Sequence, residues 1–326
     1  MKLLVAADSV ITLEILLKEI AARSWPVGTE ARVISVVEDG EIPLETWRAE
    51  GYGMAAIRRE MRTRGEQLTT LASDRLQAAG IPVEVTVMRG DPEFLIPFVA
   101  KKWTADLIFI RAHNRTDFRN WLLGSVAKSV VENAPASVEI VRAAETDQLA
   151  THDGTRILLA TDGSDVSLAA AQAVAETDWP SGSEVKVISV VDPIIYSLEE
   201  LGLSREKRTE RAHRAIGQAI NVFKETPLRL TGEVIAGTVV RQIIERGETW
   251  KADLIVVGTH QRRGLKRLLL GSTSTAVANN AHSSVRVIRA DVPRSHQPRS
   301  YRAKASASNP GTVYRLDDRQ RWRNAA

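Results

Sequence analysis

Apolar residues in this chain fall into short runs separated by longer Ala- and Leu-rich stretches. The runs KLLVAA (2–7) and RILLAT (156–161), ARVISVV (31–37) and EVKVISVV (184–191), DLIFIR (106–111) and DLIVVG (253–258), and SVEIVRA (137–143) and SVRVIRA (284–290) are rich in Val, Ile and Leu. Their length and bounding polar residues predict strands. VEVTVM (83–88) and LRLTGEVIAG (228–237) are weaker strand candidates. Between them, ITLEILLKEIAARS (11–24) and SLAAAQAVAETD (167–178) read as helices. Alternation of strand and helix predicts right-handed βαβ units and a mainly parallel sheet with helices on both faces. The strands do not alternate in polarity, as expected of strands buried on both sides.

The same pattern occurs twice. LLVAADS (3–9) matches ILLATDG (157–163) at an offset of 154, and the offset holds through Trp25-Pro26 on Trp179-Pro180 and VISVVE (33–38) on VISVVD (187–192). Further on the offset is 147: WTADLIFIRAH (103–113) lies on WKADLIVVGTH (250–260), and Gly124-Ser125 on Gly271-Ser272. We therefore expect two doubly wound α/β domains, 1–144 and 155–290, each with a five-stranded mainly parallel sheet and helices on both faces. The polar joint AETDQLATHDG (144–154) reads as a linker.

Length and composition agree. The 326 residues suit two domains, and 44% apolar with 26% charged residues is ordinary for a globular chain. No apolar run is long enough to span a bilayer, and the first run is too short for a signal peptide core, so a cytoplasmic protein is expected. There is no cysteine, which excludes disulfides, thiol catalysis and Cys-based zinc sites. The net charge of +4 is unevenly spread: residues 291–326 hold eight basic and three acidic side chains, leaving the body near neutral. Nucleic acid is thus not an expected partner except through this basic tail. The tail is rich in Pro, Ser, Asn and Arg, and we expect it to be disordered in isolation.

In doubly wound sheets ligands bind beyond the carboxyl ends of the strands. Two such exits in the second copy carry turn chemistry. ATDGSD (160–165) sets Asp162 after the first strand, and VVGTHQRRGLKRLLLGST (256–273) leaves the fourth strand at Gly258 and enters a helix at Gly271, Ser272 and Thr273. Gly258 and Gly271 allow close backbone approach, and Ser272 is the expected N-cap. A helix start offers free N–H groups and the positive end of the dipole, which suits phosphate. A carboxylate across the crevice can take a ribose hydroxyl or an adenine amino group, so the pair points to a nucleotide. Asp162 also suits a plain turn cap, and Gly271-Ser272 a plain helix start.

These residues resemble the universal stress protein family, and the whole chain resembles its tandem two-domain form. The family's phosphate signature is Gly, two residues, Gly, nine residues, Gly, then Ser or Thr. Gly258, Gly271 and Ser272 fit it, while Gln261 stands at the second glycine. The resemblance implies ATP binding in one branch of the family and none in another, an adenine-side role for Val190, and dimerisation through the last strand. The expected site is then Asp162, Val190, Gly258, Gly271, Ser272 and Thr273, with Mg²⁺ carried on the phosphates. In the first copy Arg111 and Asn114 replace both early glycines, so its site is expected to be weak or absent, with Arg111 able to stand where the anion would.

The last strands are expected to pair the two copies as an intramolecular pseudo-dimer, because pairing removes an exposed edge; a homodimer is the other assembly considered. His113, His260, the basic run at Arg262, Arg263, Lys266 and Arg267, and the wet face REKRTERAHR (205–214) read as structural or solvated features. There is no Walker lysine motif, metal-ligand cluster or nucleophile elbow. The expected function is stress-response regulation through adenine nucleotide bound mainly in the second domain. The alternative is a scaffold that binds no nucleotide and acts through domain pairing and protein partners. Slow ATP hydrolysis is a third class for which no catalytic residue is identified.

Overall fold

The computed structural model describes residues 1–38, 54–112, 123–142, 154–192, 205–259, 271–289 and 313–315. The first copy runs β1 (Lys2–Ala6), α1 (Val10–Ala21), β2 (Glu30–Val37), α2 (Met54–Ala78), β3 (Val83–Arg89), α3 (Pro92–Trp103), β4 (Leu107–Arg111), α4 (Ser125–Asn133) and β5 (Ser137–Val141). The second repeats it as β6 (Arg156–Ala160), α5 (Asp165–Ala175), β7 (Glu184–Val191), α6 (Arg205–Val222), β8 (Arg229–Ala236), α7 (Val239–Thr249), β9 (Leu254–Thr259), α8 (Ser272–Asn280) and β10 (Ser284–Arg289). Both weak strand candidates are strands, and the expected α/β class with five parallel strands per copy is what the structure has.

The two sheets are not separate. With the short strand β11 at Val313–Arg315, strand order is β11-β3-β2-β1-β4-β5-β10-β9-β6-β7-β8, one sheet of eleven strands among the described residues. Every pairing is parallel except β5 with β10, which is antiparallel with Arg286 opposite Glu139. Because residues 139 and 286 are equivalent under the repeat, a pseudo-two-fold axis passes between them. Ser24 and Asp178, also equivalent, meet nearby through Ser24 N–H to Asp178 O at 3.2 Å. The short strand β11 (Val313–Arg315), inside the segment expected to be disordered, pairs parallel with β3; the rest of the tail lies outside the described residues.

Burial divides by face. One apolar cluster runs unbroken under α3, α4, α7 and α8 and includes strand residues of both copies, among them Val138, Ile140, Val285 and Val287. On the opposite face, α1 and α2 cover one cluster and α5 and α6 another. Helix α6 shows the expected wet face: Ala212, Ala215, Ile216 and Ala219 turn inward while Arg211, His213 and Arg214 are exposed. The paired tryptophans do matching work. Trp25 Nε1 donates to Ile20 O and Trp179 Nε1 to Val174 O, each at 2.8 Å, closing the carbonyl ends of α1 and α5.

Candidate functional site

A cleft of about 870 Å³ opens at the carboxyl ends of the second copy's strands. That lies within the usual range of small-molecule pockets, ~300–1,000 Å³. All six residues singled out from the sequence line it: Asp162, Val190, Gly258, Gly271, Ser272 and Thr273. Its apolar wall is made by Ile188 and Val190 of β7, Val239 and Ile243 of α7, and Val257 of β9. Gln261, His260 and the basic run Arg262 to Arg267 lie outside the described residues, as do His113 and Asn114.

Asp162 sits at the tip of β6. Its Oδ1 accepts from the Ser164 amide at 3.0 Å and from the Ser164 hydroxyl. Burial pushes its carboxyl up, but these Ser164 bonds outweigh it and hold the group below the ordinary carboxylate value. The turn depends on Gly163, whose φ of +78° falls in the left-handed region that favours glycine. Ser164 then caps α5, accepting from Ser167 N–H. Asp162 therefore serves the turn through one oxygen while it lines the cleft. In the first copy Ser9 takes Gly163's place with φ −148° and itself caps α1, one residue earlier in register.

The helix start departs in detail from expectation. The N-cap of α8 is Gly271, not Ser272, and it makes no side-chain cap bond. Ser272, Thr273 and Ser274 are thus the first three helical residues, whose N–H groups have no intrahelical acceptor. The Gly271 N–H is already committed, donating to Thr259 Oγ1 at 3.0 Å. Gly258 is also committed. It pairs in register with Ile288 of β10, and its carbonyl accepts from Ser274 Oγ at 2.8 Å. A Cβ at Gly258 would stand 2.5 Å from Val166 O, so this glycine is required by the close approach of α5 to β9. At Gly271 a Cβ would meet, among the described residues, only Thr259 Oγ1 at 3.6 Å and Ser274 Oγ at 3.8 Å.

Sequence reading missed a set of hydroxyls. Thr161 Oγ1 and Ser167 Oγ bond to each other at 3.0 Å, and Gly163 N–H donates to Thr161 Oγ1. With Thr259 and Ser274 they fasten the β6 turn and the α8 start to the sheet. The repeat places Ala7, Leu13, Ala112 and Ala127 at the four equivalent positions of the first copy. The signal was present in the alignment of the copies, as a column-by-column exchange of Ser or Thr for apolar residues. In the first copy α4 likewise starts from an uncapped glycine, Gly124, while Arg111 ends β4. Among the described residues no group of His, Asp and Glu is arranged to hold a metal ion, and no helix is long and apolar enough to cross a membrane.

A mainly parallel α/β sheet with an apolar cleft, a turn carboxylate and an uncapped helix start at its strand exits defines a protein of the doubly wound class. The family model for the universal stress protein family matches residues 1–142 and again 154–289, and the chain belongs to that family in tandem form. Universal stress protein MJ0531 of Methanocaldococcus jannaschii is 36% identical over 138 residues, 41% of this chain and 81% of that protein. Universal stress protein Mb2028c of Mycobacterium bovis is 29% identical over 191 residues, 57% of this chain and 62% of that protein's length. A universal stress protein from Archaeoglobus fulgidus DSM 4304 shares the fold with a TM-score of 0.59 at 20% identity, covering 88% of this chain and 98% of its own.

Proposed function

We propose that this protein is a stress-response regulator that binds adenine nucleotide, ATP with Mg²⁺ carried on the phosphates, in its second domain. The observation that carries this reading is the convergence of Asp162, Val190, Gly271, Ser272 and Thr273 on one cleft of about 870 Å³. The apolar wall at Val190 suits a purine face, and Asp162 a ribose hydroxyl or amino group. The N–H groups of Ser272, Thr273 and Ser274, with the Ser272 hydroxyl, suit phosphate oxygens at the positive end of α8. Gly258 serves by letting α5 close against β9, and Gly271 by leaving the helix mouth open. The first copy, with Arg111 at its strand exit and no hydroxyl set, is assigned no nucleotide. The paired copies act as one pseudo-dimeric unit in the cytoplasm.

Calorimetric titration with Mg²⁺ and ATP tests this. Wild type should bind about one nucleotide per chain, Gly271→Val should bind none, and Gly124→Val should bind as wild type does. Adenine nucleotide released on denaturing gently purified protein would agree. Two equal sites, or binding lost with Gly124→Val alone, would refute the assignment. Gln261 is the feature that favours the scaffold reading, and a wild type that binds no nucleotide moves the protein there.

A further inference from the structure

The surface between the copies holds two kinds of contact, and only one of them is symmetric. Arg142 and Arg289 are equivalent, and each reaches into the other copy in the same way. Such contacts would form equally if two first copies or two second copies met. The axial position is different. Glu139 stands on the first copy's side and Arg286 on the second's, directly opposite in the antiparallel register. Both are buried. Arg286 Nε donates to Glu139 Oε2 at 2.7 Å. Arg23 grips the same carboxylate with Nη1 to Oε2 at 2.9 Å and Nη2 to Oε1 at 2.7 Å. The residue equivalent to Arg23 in the second copy is Thr177, which offers Arg286 only a hydroxyl at 3.4 Å.

We propose that the Glu139–Arg286 pair makes the last-strand surface select the unlike copy as its partner and reject its own kind. Two second copies would set Arg286 against Arg286 with no carboxylate between them. Two first copies would set Glu139 against Glu139 at directly opposed strand positions, where each carboxylate keeps its own Arg23 but neither gains the second cation that Arg286 supplies. Like charges so placed are destabilising, and burial removes the water that would screen them. The unbroken apolar cluster on the other sheet face cannot make this distinction, because area burial is indifferent to partner. Repulsion against the wrong partner is a usual source of specificity. The inference rests on the paired copies being the working unit.

Full-length Glu139→Arg and Arg286→Glu, carrying different affinity tags, test it. In Glu139→Arg both copies present Arg on the axis, and in Arg286→Glu both present Glu. Each variant alone should melt several degrees below wild type. Between the two variants every inter-chain pairing opposes Arg to Glu, so co-expression should give a complex carrying both tags, with melting restored toward wild type. Arg142→Ala, which weakens a contact common to any pairing, should lower melting yet join neither charge variant. Charge variants that melt as wild type while Arg142→Ala is destabilised would overturn the selection and leave the pairing. If Arg142→Ala also melts unchanged, the paired unit itself is refuted. Destabilised charge variants that never share a complex overturn the proposal.

Discussion

Arg142 and Arg289 exchange places across the pseudo-two-fold axis. The Arg142 amide donates to Ser284 Oγ at 3.0 Å and its guanidinium reaches Ser283 O and Ala278 O, at the carbonyl end of α8. The Arg289 amide donates to Ser137 Oγ at 3.2 Å and its guanidinium reaches Val131 O at 2.6 Å, at the carbonyl end of α4. Each cation thus stands at the negative end of a helix in the other copy. Burial presses both guanidiniums down to about 10, and the Nε of each is buried without a hydrogen-bond partner among the described residues.

Replacing either arginine by alanine should therefore cost a moderate amount. Hydrogen bonds to a charged group contribute ~1.5–3 kcal/mol, and relief of the buried charge offsets part of it. Arg142→Ala and Arg289→Ala should each lower the melting temperature by a few degrees and by similar amounts. Differential scanning calorimetry measures both, and a large inequality would contradict the symmetric geometry.

Glu139→Gln should be far more damaging. It leaves Arg23 and Arg286 buried without their shared anion, and breaking a buried pair by removing one partner costs ~3–5 kcal/mol. Equilibrium denaturation in urea reads the loss. A change below about 1 kcal/mol, the range of exposed pairs, would show that water reaches the axis.

The same carboxylate sets an acid limit. Burial alone would raise it, but Arg23 and Arg286 bring Glu139 from its ordinary value of 4.5 to about 2. The charged form is thus favoured by folding, so this stabilisation is complete above about pH 4.5 and is lost as the pH falls towards about 2. Glu19, which also faces Arg23, is held above its ordinary value by burial and takes up its proton earlier, so it does not share in this loss. Melting temperatures across this range should fall with pH in wild type and fall less in Glu139→Gln.

The glycines of the site should separate by mechanism. Gly258→Ala would drive a Cβ against Val166 O and the Ser167 amide, which as backbone cannot turn aside. Overpacking of this kind costs ~1–3 kcal/mol, and thermal melting should register it. Among the described residues a Cβ at Gly271 or Gly124 meets no close atom, and Gly271→Ala and Gly124→Ala should fold as wild type. A neutral Gly258→Ala would mean that α5 can move away from β9.

Thr259→Val removes the acceptor of the Gly271 N–H while keeping the volume of the side chain. An unsatisfied buried donor costs ~1–3 kcal/mol, and the start of α8 loses its tie to β9. Stability should fall within that range, and nucleotide affinity by roughly tenfold for each ~1.4 kcal/mol that reaches the cleft. Melting and calorimetric titration of the same sample separate the two effects.

Much of this protein was legible in one dimension. Apolar runs of strand length, the repeat, and the glycines and Asp162 at strand exits depend on local chemistry and on the rule that parallel sheets open at their carboxyl ends. They showed that one strand-and-helix pattern occurs twice, and they singled out six residues that line the cleft. The particular duty of each residue was not legible. Gly258 looked like room for a ligand, but it is room for α5, because which backbone approaches is decided by helix packing. Ser272 looked like a cap, but Gly271 holds that place, because Thr259 ties its amide to β9 from twelve positions upstream. SVEIVRA and SVRVIRA differ at three positions, two of them exchanges of Ile and Val and the third a Glu-for-Arg exchange that carries no meaning along the chain. Only antiparallel pairing of β5 with β10 brings Glu139 and Arg286 face to face where both are buried, and there a difference of sign between the copies becomes an ion pair between them.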